Sequence, residues 1–159
     1  MAVTVRRARP KDWPAVAALL AELGRPAVLG TPDEAPAREI FLAYLERENT
    51  EALVGELDGR VVGFVDMEYQ AWLNFTRPQA WIPDLIVSEA ARSRGVGAAM
   101  LARAEELARE RGCFVMRLES ANWRTRAHAF YLRVGWTDSA KSFLKVLDRS
   151  VIPPGTRRE

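Results

Sequence analysis

Two glycines, Gly95 and Gly97, stand directly before a long amphipathic segment and shortly after an apolar run, Leu85-Ile86-Val87. That order predicts a strand, a tight loop and a helix. Glycine lets the backbone turn sharply and approach a ligand closely. The first N–H groups of the following helix lack intrahelical partners and lie at the positive end of its dipole, so an anion such as a pyrophosphate fits there. A nucleotide P-loop requires a Lys after its last glycine, and none follows Gly97; a dinucleotide fingerprint requires a third glycine where Met100 stands. What remains is R-x-x-G-x-G, formed by Arg92, Ser93, Arg94, Gly95, Val96 and Gly97, with Ala98 next in the helix.

A chain of 159 residues, 48% hydrophobic, is expected to make one compact domain, with residues 150–159 as a flexible tail. The net charge of +2 arises from 23 basic and 21 acidic side chains that are interspersed along the chain, so nucleic acid is not an implied partner. No apolar run approaches the roughly 18 residues of a membrane span, and the N-terminus lacks the apolar core of a signal peptide. Cys113 is the single cysteine, which suits a reducing cytoplasm, and it reads as a small buried hydrophobe.

Val3 to Arg6 alternates as a first strand. Asp12 reads as a helix N-cap before Val16, Leu19, Leu20 and Leu23, which share one helical face up to Gly24. Residues 25–36, rich in Pro and Gly, read as a loop. Ile40, Phe41, Tyr44 and Leu45 recur at helical spacing and predict a helix from about Ala35 to Glu48. Asp58-Gly59 predicts a hairpin between Ala52-Leu53-Val54 and a strand running from Val61 to Tyr69, with Asp66 and Glu68 on one face and Met67 and Tyr69 on the other. Trp72, Phe75 and Pro78 fall in an aromatic loop that either lines a pocket or caps the core. The strand from Trp81 to Val87 contains Pro83, which predicts an edge or a bulge. A helix with Val96, Met100, Leu101, Ala104, Leu107 and Ala108 inward is expected to end at Gly112. Beyond it come a strand through Phe114, Met116 and Leu118, parallel to the preceding one, a helix over Ala127 to Val134, and a last strand over Phe143 to Leu147.

The glycine loop resembles the acetyl-CoA pyrophosphate loop of the GCN5-related N-acetyltransferases, and a second segment resembles the same family. Ala127, Tyr131, Gly135 and Trp136 fit A-x-x-x-Y-x-x-x-G-[FY] with Trp at the aromatic position; Arg124, His128, Phe130, Phe143, Lys145 and Leu147 extend the match to a subgroup acting on small amines. The resemblance implies that family's α/β fold: one mixed, mostly antiparallel sheet, splayed at the acetyl-CoA site and flanked by about four helices. It implies acetyl-CoA as cosubstrate and no metal. Residues 92–98 would hold the pyrophosphate, and backbone groups of Leu85 and Val87 would pair with the pantetheine arm. Arg92 and Arg94 read equally as phosphate ligands or solvated loop arginines. Tyr131 matches the family tyrosine beside the thioester sulfur and, protonated at neutral pH, is expected to act as general acid.

The base is less legible. The strand position that many members fill with Glu is Trp81 here. Glu68 is the first candidate for the base, with Asp66 and Asp84 behind it; strict alternation puts Asp84 on the face opposite Trp81. Trp81 and Asp84 are expected against the acceptor, and the aromatics Trp72, Phe75 and Trp81 suggest an acceptor with an apolar part. His128 reads as packing or a helix-surface hydrogen bond, and Glu119 as structural. The implied activity is transfer of acetyl to a primary amine of a small molecule by direct attack. The alternatives are acetylation of a protein N-terminus or lysine, and a non-catalytic acyl-CoA sensor. Edge strands and an apolar helix face are compatible with a homodimer.

Overall fold

The computed structural model describes residues 2–151 and residue 153. The chain divides into two compact units, one through Leu118 and one from Glu119 onward.

The first unit is a six-stranded sheet with three of the helices. Strand β1 (Val3–Arg7) pairs antiparallel with β2 (Thr50–Leu57), and β2 with β3 (Arg60–Gln70) through the expected hairpin, where Asp58 and Gly59 both take positive φ. Strand β3 then pairs with two successive pieces, β4 (Gln79–Ile82) and β5 (Leu85–Val87), and β4 pairs in parallel with β6 (Val115–Leu118). The sheet is therefore mixed, mostly antiparallel and open.

Helices α1 (Trp13–Glu22) and α2 (Glu34–Glu46) cover one face. Trp13 meets Phe41 with ring centroids 5.6 Å apart, and Val16, Leu19, Val54, Phe64 and Ile86 complete that core. The helical spacing of Ile40 does not translate into burial: it is 70% exposed, on the outer side of α2. Asp12 also differs from expectation. Its backbone is helical and its carboxylate does not cap α1; it accepts two hydrogen bonds from Arg6, at 2.8 and 2.9 Å, and one from the Arg9 N–H at 2.7 Å. A guanidinium on the neighbouring strand outcompetes local capping because its two donors are charged and fit the carboxylate in parallel.

Helix α3 (Val96–Glu110) covers the other face, burying Val96, Met100, Leu101, Ala104, Leu107 and Ala108. Each large side chain so buried contributes about 1.5–3 kcal/mol. The helix comes close to the sheet where β2 and β3 carry glycines. A Cβ at Gly55 would stand 2.6 Å from Val96 Cγ1, and one at Gly63 would stand 2.7 Å from Met100 Cε. Those two glycines set the height of the α3 entry over the sheet.

The aromatic loop between β3 and β4 packs on the turn after α3. Trp72, Phe75 and Phe114 have ring centroids 4.8 to 5.9 Å apart, Arg117 lies over the Trp72 ring, and Arg77 donates to the carbonyls of Gly112 and Cys113. Cys113 is buried, and burial pushes its thiol pKa up.

The second unit contains α4 (Thr125–Arg133), closed by Gly135 at positive φ. Ser142 Oγ donates to Glu119 Oε2 at 2.8 Å, a structural role for that carboxylate. The strand expected over Phe143–Leu147 is not formed. Phe143 and Leu147 are 91% and 90% exposed, and the segment pairs with no strand among the described residues. Its sequence alternates as a strand does, but alternation supplies no ladder partner, and a strand exists only as one member of a pair. Of the expected tail, residues 152 and 154–159 lie outside the described residues, so Pro154, Arg157 and Arg158 have no structural account here.

Candidate active site

The site is organised by a break in one strand. Above the break, Glu68 faces Trp81 and Tyr69 faces Ala80; below it, Val65 faces Leu85 and Phe64 faces Ile86. Two residues of β3, Asp66 and Met67, thus stand opposite three of the partner, Ile82, Pro83 and Asp84, which is a β-bulge. Pro83 has no N–H to donate, so the extra residue costs the ladder little at that point.

The bulge has two consequences. The first is a free edge. Pairing of β4 with β6 runs from Gln79 to Ile82, and no strand pairs with the outer edge of β5 among the described residues. The Asp84 carbonyl accepts from Asp66 N–H at 3.2 Å and the Ser88 N–H donates to Val62 O at 2.8 Å, so both face β3. Alternation then turns the N–H and C=O groups of Leu85 and Val87 outward. Arg92 reaches one of them, its Nε donating to Val87 O at 3.4 Å.

That edge runs through a short 3-10 turn, Glu89–Ala91, into the glycine loop. Ser93 takes φ of 65° and Gly95 takes φ of 83°, a left-handed conformation that glycine adopts without a Cβ penalty. The first bond of the α3 ladder is Ala99 N–H to Gly95 O at 3.0 Å, so the N–H groups of Val96, Gly97 and Ala98 precede it. A Cβ at Gly95 would meet nothing within 4 Å. The donors, the open space and the dipole suit an oxyanion such as a diphosphate.

The second consequence is a change of parity. Counting along an unbroken strand puts Asp84 and Trp81 on opposite faces; the extra residue brings Asp84 to the face that holds Asp66. The Asp84 N–H donates to Asp66 Oδ1 at 2.7 Å, which sets the Asp84 charge beside the Asp66 carboxyl. Burial first, and then the Asp84 charge, hold the Asp66 pKa well above the ordinary carboxylate range. The other oxygens of this face are Glu68, ion-paired to Arg47 at 3.8 Å, and the Tyr44 hydroxyl, which is fully buried with no hydrogen-bond partner among the described residues. Burial and the charges of Asp66, Glu68 and Asp84 raise the Tyr44 pKa. Arg25, just after α1, clamps the bulge: Nε lies 2.7 Å from Asp84 Oδ1, and its terminal nitrogen donates to Pro83 O at 3.2 Å.

Sequence reasoning thus placed Glu68 and Asp66 on one face and missed that Asp84 joins them. It missed Arg25 and Arg47, which carry no pattern in the sequence, and took Tyr44 only as a helix-spacing residue. Among the described residues, no group of three or more His, Cys, Asp or Glu side chains is arranged to hold a metal ion.

In the second unit, Tyr131 packs between Phe130 and Trp136, with ring centroids 5.5 and 5.9 Å away. Burial raises its phenol pKa and outweighs the Arg124 charge, which lowers it. The phenol is therefore protonated at neutral pH, as a proton donor requires.

Residues 13–136 match the family described as the acetyltransferase (GNAT) family, a span that reaches into both units. The chain is 32% identical over 143 residues to aminoalkylphosphonate N-acetyltransferase of Salmonella typhimurium, covering 90% of each protein. Among solved structures, a transcriptional regulator from Bacillus halodurans C-125 aligns with a TM-score of 0.83 at 24% identity, over 92% of this chain and all of that one. The aminoglycoside acetyltransferase AAC(6')-Iy, solved in complex with a CoA-based bisubstrate analogue, aligns with a TM-score of 0.77 at 17% identity, over 93% of this chain and 99% of that one. These two likenesses show a shared fold.

Proposed function

The chain belongs to the acetyltransferase (GNAT) family and is an N-acetyltransferase, and from that premise we propose that it moves acetyl from acetyl-CoA to the primary amine of a small molecule, by direct attack on the thioester. The observation that carries this reading is the free outer edge of β5 leading into the left-handed Gly95 and the open N-terminus of α3. An amide-bearing arm extends a sheet edge as an added strand does. Leu85 and Val87 supply the backbone groups for it, while residues 92–98 supply N–H donors and two guanidinium groups for the diphosphate. Both units act as a single N-acetyltransferase domain.

The bound thioester supplies an activated acetyl carbonyl. The chain's own groups then orient it, remove a proton from the amine and return one to sulfur. Tyr131 is the donor to sulfur: its phenol, kept protonated by burial, passes its proton to the sulfur as the thiolate departs, when the two are held together. A carboxylate beside the bulge takes the amine's proton, Glu68 being the one singled out from sequence. Trp81, paired across from Glu68, offers an apolar surface for the acceptor's body. The S. typhimurium relative's name, an acetyltransferase of aminoalkylphosphonates, supports a small amine as the acceptor class. The buried, unpaired Cys113 fits work in a reducing cytosol.

Calorimetric titration with acetyl-CoA and with CoA tests the cosubstrate site. Binding is expected for the native chain and is expected to vanish in Gly97→Glu, which puts a carboxylate in the anion loop. Failure of the native chain to bind either would end this reading.

A further inference from the structure

A protonated amine has no lone pair to attack with, so a base must act first, and the usual glutamate position holds Trp81. Resting on the N-acetyltransferase reading, the geometry points to the Asp66–Asp84 carboxyl pair as the acceptor of the amine proton, with Asp84 receiving it and Asp66 the positioning residue behind it.

Three observations lead there. The bulge brings the Asp84 N–H onto Asp66 Oδ1 at 2.7 Å and so sets the Asp84 charge beside the Asp66 carboxyl, and neighbouring carboxyl groups do not readily both ionise. It retains one proton until the pH is well above the ordinary carboxylate range, and once that proton is lost the pair is a strong base. Next, Asp66 is 8% exposed while the Asp84 side chain is 17% exposed, so Asp84 is the member a ligand reaches. It also adjoins Leu85, the first residue of the free edge. Finally, the charges do not balance without a ligand. The groups facing the pair are Glu68 on β3, Tyr44 on α2, Arg47 after α2 and Arg25 after α1. Arg25 offsets Asp84 and Arg47 offsets Glu68, which leaves an ionised Asp66 with no counter-ion. An ammonium group supplies the missing positive charge, and the partnerless Tyr44 oxygen beside the same carboxylates offers it a further acceptor.

The step balances as follows. The doubly ionised pair takes one proton from R–NH3+, and the freed lone pair forms the C–N bond. The C–S bond breaks with its electrons on sulfur, which takes the Tyr131 proton. The second nitrogen proton returns to the Tyr131 oxygen through solvent, and the pair releases its own to solvent.

The test is kcat against pH at saturating acetyl-CoA, using the faster of two acceptors, 2-aminoethylphosphonate and phenethylamine. It is joined to an infrared titration of protonated carboxyl groups, which needs no acceptor. The native chain is expected to show an acid limb well above pH ~4, the ordinary carboxylate value, and a carboxyl that stays protonated above that value. Asp66→Asn should remove that infrared signal and move the limb down; Asp84→Asn should lower kcat ~10²–10⁴-fold. Arg25→Leu, which leaves both carboxyls in place, should move the limb up, since losing a nearby positive charge disfavours ionisation. Glu68→Gln, which removes a nearby negative charge, should move the limb slightly down without abolishing it. A limb unmoved by Asp66→Asn and Arg25→Leu, a limb abolished by Glu68→Gln, or no carboxyl protonated above the ordinary carboxylate range in the native chain would overturn the pair as base. Those results leave the acetyltransferase reading standing, whereas loss of acetyl-CoA binding by the native chain removes that reading itself.

Discussion

The buried Asp12 is held by charge. Asp12 lies almost fully buried against Arg6, whose guanidinium also reaches Glu56 at 2.8 Å. The Arg6 hydrogen bonds hold the Asp12 pKa below its usual value despite burial. A carboxylate depressed in the folded state stabilises the fold above its unfolded pKa and loses that stabilisation as pH falls through the folded one. Stability should therefore be flat near neutrality and decline below about pH 4, and Asp12→Asn should remove part of that decline. The same substitution should cost about 1.5–3 kcal/mol at pH 7, the range for hydrogen bonds to charged groups, as read from urea unfolding midpoints. Tyr131 is held differently, among aromatic rings, and Tyr131→Phe keeps that packing while removing the proton. A kcat loss of ~10²–10⁴-fold with unchanged acetyl-CoA affinity is the expected outcome; an unchanged kcat would remove its role as acid.

At the scale of elements, the decisive relation is between α3 and the two glycines beneath its first turns. Val96 opens the helix and seats on Gly55, so the height of the helix over β2 is set at the same residues that present the N–H donors of the anion loop. Gly55→Ala forces its Cβ against the stiff, branched Val96 side chain, and overpacking of this kind costs about 1–3 kcal/mol. Gly63→Ala comes nearest the flexible end of Met100, with Val96 Cγ1 farther off at 3.1 Å, and should cost less. Thermal melts of the two variants read this order, and equal losses would mean that the helix shifts bodily. Acetyl-CoA affinity should fall in Gly55→Ala as well, because the loop moves with the helix. The other decisive element is the bulge. It frees the edge of β5 and carries Asp84 across to Asp66, so one inserted residue creates both the free edge and the pair of acids beside it.

Across the whole molecule, the first unit holds the glycine loop, the free edge and the carboxyl face, and the second holds Tyr131. The segment over Phe143–Leu147 is strand-like in sequence but exposed, so Phe143→Asp and Leu147→Asp should each change monomer stability by less than about 0.5 kcal/mol. Larger losses in urea unfolding would mean that these side chains are buried in solution. The glycine loop, the hairpin at Asp58-Gly59 and the buried stripe of α3 were legible because each is a local pattern: positive φ selects glycine, and helical periodicity selects which side chains face inward. The motif around Tyr131 was legible only through its resemblance to the family pattern. Residue order alone did not reveal that Ile40 faces solvent, that Arg6 takes Asp12 from the helix cap, or that Asp84 joins Asp66 and Arg25. Each of those depends on which segment arrives alongside, and in the last case on a one-residue slip between strands. Local sequence determined most of the elements and the turn of the glycine loop. The tertiary structure decided the face on which the acids meet, because side-chain parity along a strand is set by its pairing register and can change at a single bulge.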